Sequence, residues 1–333
     1  MPGSKRLPAA VACAAGLAVS AAAGATTIAY TSQGASSSHV WVMDGDGSDK
    51  ERLTSGSVDD VSPTLAPGGS RAIFVRRRLD GRDELYRVDA DGTGLTRLTR
   101  SALAEANPAW APRGGLVAFE AGRAVGSFEV VVIGSDGTGR RRLTHNGVDD
   151  AGPAWAPSGR RLAFVRYVGG DNPEIYVVGA EGRGLRRLTS SRAEDHGAAW
   201  GPTGRIAWIR SRPSGGQLWL MRPDGTEKRR LVSATGHLGP PAWSPDGTRL
   251  AFAAWGGGDR ELYVVRADGT RLRRLTRNDV DDTGPLWSPG GARIAFTRFT
   301  NGSNDVWTTR PDGTAKRRLT RGAAHEAAAA WAR

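Results

Sequence analysis

The chain has 333 residues, 24% of them charged, and a formal net charge of +12. Its one cysteine, Cys13, lies close to the N-terminus, so the rest of the chain has no thiol for disulfides, zinc–thiolate sites or cysteine catalysis. The basic excess is almost all arginine; anionic polymers would suit it, but a GC-rich genome produces the same bias, and no nucleic-acid partner is inferred.

The first element in chain order reads as an export signal. Lys5 and Arg6 precede a run of small and apolar residues from Leu7 to Ala22, and Ala23-Gly24-Ala25 supplies a small-x-small cleavage site. The expectation is a signal peptide over 1–25, cleaved after Ala25, and a mature protein that is secreted or periplasmic. The run is too short and alanine-rich for a membrane span, and no later stretch is long and apolar enough to make one.

From Thr26 onward the chain repeats. The leucines of seven "RLT"-like strings, Leu53, Leu98, Leu143, Leu188, Leu231, Leu275 and Leu319, follow one another at 43–45 residues, the length of a propeller blade. In step with them run an "IAF"-like string (Ala72-Ile73-Phe74, Leu250-Ala251-Phe252), an "ELYVV"-like string (around Tyr86, Tyr263) and a "PAW"-like string ending at Leu65, Trp110, Trp155, Trp200, Trp243, Trp287 and Trp331. Each is a short β-branched or aromatic run bounded by Gly, Pro, Asp or Ser, which is the strand signature. Four strings in seven copies predict an all-β, seven-bladed β-propeller of four-stranded blades over 26–333. The chain enters in the second strand of a unit, at Ile28, and reaches a first strand only at Trp331, so one blade shared by the N- and C-termini should close the ring.

The turns agree with that reading. Glycine stands four residues after the first-strand aromatic or Leu at Gly69, Gly114, Gly159, Gly204, Gly247 and Gly291, and "D-G" pairs such as Asp91-Gly92 and Asp268-Gly269 mark the other hairpin. Asp44–Asp49 has the look of a calcium loop but lacks its glycine and its closing glutamate, and is read as one of these turns.

The run from Trp243 to Thr276, W-S-P-D-G-T-R-L-A-F through L-Y-V-V and D-G-T to R-L-T, resembles the propeller repeat of TolB and its WD-repeat-like relatives. The resemblance covers Thr26 to Trp331. It implies the fold and not an activity, because the repeat also builds lyases, peptidase regulatory domains and sensor ectodomains. TolB itself is six-bladed behind an α/β domain, where this chain counts seven and shows no such domain.

Candidate functional residues gather in the loops from fourth to first strand. Five residues before the first-strand aromatic or Leu stands an acid in six units: Asp60, Glu105, Asp150, Asp195, Asp282 and Glu326, with Leu238 in the seventh. A regular ring would place them on one face, either as a site for Ca²⁺, another divalent metal or a basic ligand, or as acids that accept backbone N–H bonds of their own turns. His196 and His237 fall in the same loops of neighbouring units, and with Asp195 they have the donor types of a transition-metal site. Some propeller lyases of pectic oligosaccharides use a metal site of this kind, though no motif here matches theirs.

The second-to-third loops vary in content, as in Arg76-Arg77-Arg78, Tyr167–Asp171, Trp255–Gly258 and Phe299-Thr300-Asn301, as a recognition surface requires. The paired arginines of the "R-R-L-T" strings should guard the outer strand edges. The reading that results is a monomeric, non-catalytic binding or scaffold propeller. It needs no cofactor and recognises a protein or glycan through the fourth-to-first-loop face. The alternative is a metal-dependent polysaccharide lyase or hydrolase.

Overall fold

The computed structural model describes residues 26–123, 127–168, 172–255, 257–300 and 302–332. The expected signal peptide lies outside them, as do Gly169–Asp171, Gly256 and Asn301 of the variable loops. Among the described residues there are 28 strands and no helix, so none is long and apolar enough to cross a membrane.

The strands form seven antiparallel four-stranded sheets. In blade 1, His325–Ala332 supplies the first strand and Thr27–Gln33, Ser38–Asp44 and Glu51–Arg52 the other three, which confirms the shared blade. Blades 2 to 7 follow in order, with first strands Asp60–Leu65, Ala104–Trp110, Asp150–Trp155, Glu194–Trp200, Ala242–Trp243 and Asp282–Trp287. First strands neighbour first strands around the ring and so wall the central channel.

The predicted turn glycines hold the left-handed conformation that a Cβ disfavours: φ is 72° at Gly69, 68° at Gly247 and 77° at Gly92. At the second hairpin, the Asp of each "D-G" accepts from the N–H and hydroxyl of the residue two ahead, as Asp268 does from Thr270 at 2.8 and 2.6 Å. Asp44–Asp49 is the same turn, with Asp46 bonded to Ser48.

The core lies between blades. Phe74, Phe119, Phe164, Trp208, Phe252 and Phe296 are fully buried or nearly so. Each apolar cluster joins two sheets, as where Ala118, Val130 and Leu143 of blade 3 meet Trp155, Phe164 and Val178 of blade 4. The indole N–H of Trp155, Trp243 and Trp287 reaches back to the carbonyl of Ala109, Ala199 and Ala242 in the preceding blade, at 2.9–3.1 Å.

The "RLT" string has a role for each residue. Leu enters the core. The Thr hydroxyl accepts a backbone N–H near the start of the third strand, as Thr276 does from Leu262 at 2.9 Å and Thr99 from Leu85 at 2.9 Å. In blade 5 Val232 replaces this Thr, and there the fourth strand runs on as Arg229–Ser233.

Candidate binding face and its buried ion pairs

Four of the six predicted acids meet an arginine inside their own blade. Asp60, Asp150, Asp195 and Asp282 have no solvent exposure. Each pairs across the first and second strands with the residue two past the buried aromatic: Arg76, Arg166, Arg210 and Arg298. The contacts are bidentate, at 2.6–2.8 Å. Each guanidinium also lies over a third-strand ring, 4.6 Å from the centre of Tyr86, 4.7 Å from Tyr176, 4.9 Å from Trp219 and 4.7 Å from Trp307. A planar fork suits both contacts at once, which lysine could not make.

In the other three blades the partner changes with the acid. Glu105 faces Ala121 and is held by Thr99, by Ser101 at 3.0 Å and by Arg140 at 3.2 Å. Glu326 faces Ser32, whose hydroxyl lies 3.3 Å away. Leu238 faces Ala254, so acid and arginine have been exchanged together for an apolar pair. Burial pushes the carboxyls of Glu105 and Glu326 above the usual range.

A second set of buried acids was missed from the sequence. Glu84, Glu129, Glu174, Glu261 and Asp305 stand within the first three residues of the third strands at 0–1% exposure and pair with Arg97, Arg142, Arg187, Arg274 and Arg318. These are the second arginines of the "R-R-L-T" strings, or the lone one in blade 2. They turn inward to a carboxylate, where an edge-guarding role was expected. Asn146 and Asn278 join the two sets. The Asn146 amide donates to Glu129 at 3.0 Å and to Asp150 of the next blade at 2.8 Å; Asn278 does the same for Glu261 and Asp282 at 3.2 and 3.0 Å.

Backbone capping falls to the neighbouring acids. Asp59, Asp149 and Asp281 accept from the N–H of Ser38, Phe128 and Arg260 of the preceding blade, at 2.7–2.8 Å.

The histidines separate. His196 is half-buried, with Nε2 at 2.9 Å from the Ser211 hydroxyl, and burial lowers its pKa against the opposing pull of Glu194 and Asp195. His237 and His325 are exposed. A metal at Asp195, His196 and His237 would have to take Asp195 from Arg210 and His196 from Ser211. The three residues do not fit one, and no group of three His, Cys, Asp or Glu among the described residues is placed to hold a metal. His39, not singled out from the sequence, stands where other blades have the buried third-strand acid; aligning the seven third strands would have found it. Its Nε2 is 2.9 Å from the Ser37 hydroxyl, and burial and Arg52 lower its pKa.

Among charged and polar loop residues, this face also shows three large aromatic side chains to solvent. Tyr167, Trp255 and Phe299 are 38%, 42% and 45% exposed. All three stand three residues past the buried aromatic, where the second strand enters its loop; the other blades have Gln33, Arg77, Gly122 and Ser211 there. The Arg260 guanidinium lies 5.5 Å from the Trp255 ring, and the Trp255 N–H donates to the His237 carbonyl at 3.0 Å. At the opposite, tight-turn end, first strands of blades 6, 7, 1 and 2 enclose a cavity of about 580 Å³ lined by Trp243, Trp287, Trp331 and three prolines, with no ionisable side chain.

The sequence matches the TolB beta propeller domain family over residues 18–203 and 203–333. No curated protein matches the chain. Among solved structures, TolB from Acinetobacter baumannii is similar at 19% identity and a TM-score of 0.58, over 92% of this chain and 82% of that one. An oligogalacturonate lyase in complex with manganese aligns at 15% identity and a TM-score of 0.64, over 89% and 85%. A puromycin-hydrolyzing peptidase of Mycobacterium tuberculosis aligns at 18% and 0.69, over 88% of this chain but 53% of its own. At these identities the likeness is one of fold.

Proposed function

Because the chain belongs to the TolB β-propeller family, we propose that it is an exported, non-catalytic binding propeller that takes a protein or glycan ligand on its fourth-to-first-loop face. The observation that supports this is the exposed aromatic set on blades 4, 6 and 7. Tyr and Trp offer a large apolar face and a polar edge at little entropic cost, and suit sugar rings and protein surfaces alike. Two of the acids act beneath that surface: Asp150 with Arg166 and Asp282 with Arg298 brace the strands that lead to Tyr167 and Phe299, and the apolar pair of Leu238 and Ala254 stands in their place beneath Trp255. Export follows from the charged, apolar and small-residue order of 1–25.

The enzymatic alternative, a polysaccharide lyase or hydrolase, draws on the fold of the manganese-bound lyase. It is the weaker reading, because Asp195 and His196, its natural centre, are bonded to Arg210 and Ser211.

The test is a screen of the mature protein against glycan arrays and envelope proteins, repeated with Tyr167→Ser, Trp255→Ser and Phe299→Ser combined. All three side chains are partly in solvent, so melting should change little. Ligands found with the native protein should be lost with the variant. Retention of all of them, or chemical turnover of a bound glycan, would overturn the proposal.

A further inference from the structure

Between blades 6 and 7, on the tight-turn face, lies a cavity of about 450 Å³. Five arginines line it: Arg249, Arg266, Arg271, Arg273 and Arg310. The lining has one acid, Asp312, whose Oδ1 accepts from the Thr314 N–H and hydroxyl at 2.9 and 2.6 Å. Arg249 stacks 4.8 Å from the Trp287 ring and comes to 3.9 Å from Asp246. Among the described residues, no carboxylate lies within ion-pair distance of Arg266, Arg271, Arg273 or Arg310. A second cavity, of about 510 Å³, shares Arg273 and Asp312 and adds Arg277 and Lys316.

The ring contains its own control for this cluster. In blade 5 the positions of Arg249, Arg266 and Arg271 are held by Arg205, Arg222 and Glu227. Glu227 sits between its two arginines, at 3.0 and 2.9 Å. Blade 6 keeps both arginines and replaces the acid between them with a third, on the same backbone: φ is 51° at Glu227 and 54° at Arg271. The internal counter-charge has been exchanged for one more cation. Blade 7 contributes Arg310, as blade 6 contributes Arg266 at the preceding junction, so the change of charge between the two junctions lies at Arg271. Like charges gathered at a concave surface repel one another unless an anion joins them.

We propose that this cleft binds a phosphoryl-type oxyanion carrying two or more negative charges. Arginine forks match the oxygen geometry of such a group, each giving paired N–H bonds. The occupant takes the place that the Glu227 carboxylate has in blade 5. The two adjoining cavities with their shared arginine would let a polymeric phosphate extend from one into the other, whereas a free anion needs only the first. The site is on the opposite face from the aromatic surface, so its failure and the failure of that reading are separable.

The experiment is calorimetric titration of the mature protein at low salt with inorganic pyrophosphate, a short polyphosphate and acetate. It is repeated on Arg271→Glu, which restores the blade 5 arrangement at an exposed position, and on Arg113→Glu, a surface arginine outside the cleft. Pyrophosphate should bind the native protein and bind Arg271→Glu about tenfold or more weakly, with acetate weaker than both. A preference for polyphosphate over pyrophosphate would identify a polymer as the occupant, and equal affinity per site a free anion. Equal weakening by Arg271→Glu and Arg113→Glu would reveal general charge attraction and overturn the proposal, as would the absence of pyrophosphate and polyphosphate binding.

Discussion

The ion pair between Asp150 and Arg166 can be tested against the ring's own alternative. Asp150→Leu removes two contacts to Arg166, at 2.6 and 2.7 Å, and one to Asn146, at 2.8 Å. It leaves a guanidinium of 13% side-chain exposure without its paired carboxylate, the nearby Glu129 being held by Arg142. Breaking a buried pair from one side costs about 3–5 kcal/mol. The Tyr176 ring lies beneath Arg166 in the native protein and the variant alike and leaves this difference unchanged; Arg166 keeps some access to solvent, so the single variant should lose about 3 kcal/mol, the low end of that range. At about 2 °C per kcal/mol for a domain of this size, that is a melting point roughly 6 °C lower. Adding Arg166→Ala reproduces the Leu238–Ala254 pair of blade 6. Exchanging both members of a buried pair for apolar groups is close to neutral, so the double variant should recover most of the loss. Denaturant unfolding of both singles and the double gives the coupling energy. If Asp150→Leu alone stays within about 0.5 kcal/mol of the native protein, or the double loses as much as the two singles added, the carboxylate is not a structural partner and the account of the acids is wrong.

Other outcomes follow from the same geometry. Asn278→Ala removes the amide that joins Glu261 to Asp282 and should cost about 1–3 kcal/mol, read from the denaturation midpoint. Trp287→Ala empties the junction of blades 6 and 7 and should cost about 3–5 kcal/mol, with a lower melting point. Burial raises the Glu120 carboxyl above its usual range, although the Gly152 N–H and the Asn107 amide both bond it. The folded state therefore holds this proton more tightly than the unfolded chain does. Its contribution to stability is complete below the unfolded value, about 4.3, and is lost as pH rises through the raised folded value. Glu120→Gln removes that loss, so its melting point should gain on the native protein from acid to neutral pH. A gap that does not change with pH would contradict the assignment.

The fold could be read from the chain because each blade repeats the same four strings and the same turn glycines. Gly69, Gly114, Gly159, Gly204, Gly247 and Gly291 all have the positive φ that their spacing demands. The acids were found at the right positions, but their partners were not. Asp60 and Arg76 are 16 residues apart and meet only through antiparallel register, which a scan for clusters of like residues does not see. The signal was there: an arginine two places past the buried aromatic accompanies the Asp in blades 2, 4, 5 and 7 and is gone from blade 6, where Leu238 replaces the acid. The third-strand acids were hidden in the same way, each lying 13 residues before its arginine.

A repeat separates scaffold from function by its own variation. Groups that recur together, such as the Asp–Arg pair or the Arg, Leu and Thr of the fourth strand, bond one another and fold every blade. A binding group has no partner in the repeat, so it appears in one or a few blades without a compensating change nearby. The missing first-strand ion pair of blade 6 passes the first test, since Leu238 comes with Ala254. Arg271 fails it, because no carboxylate in its blade or the next takes the place between the arginines that Glu227 has in blade 5; Asp268 and Asp312, which lie near the cluster, are bonded to Thr270 and Thr314 of their own turns. Trp255 and Phe299 fail it too, standing in solvent where other blades place Gln33, Arg77, Gly122 or Ser211. Tyr167 does the same in blade 4; Arg271, Trp255 and Phe299 fall together in blades 6 and 7, on opposite faces of the same junction. That is where the ring departs from its own rule, and where ligand searches should begin.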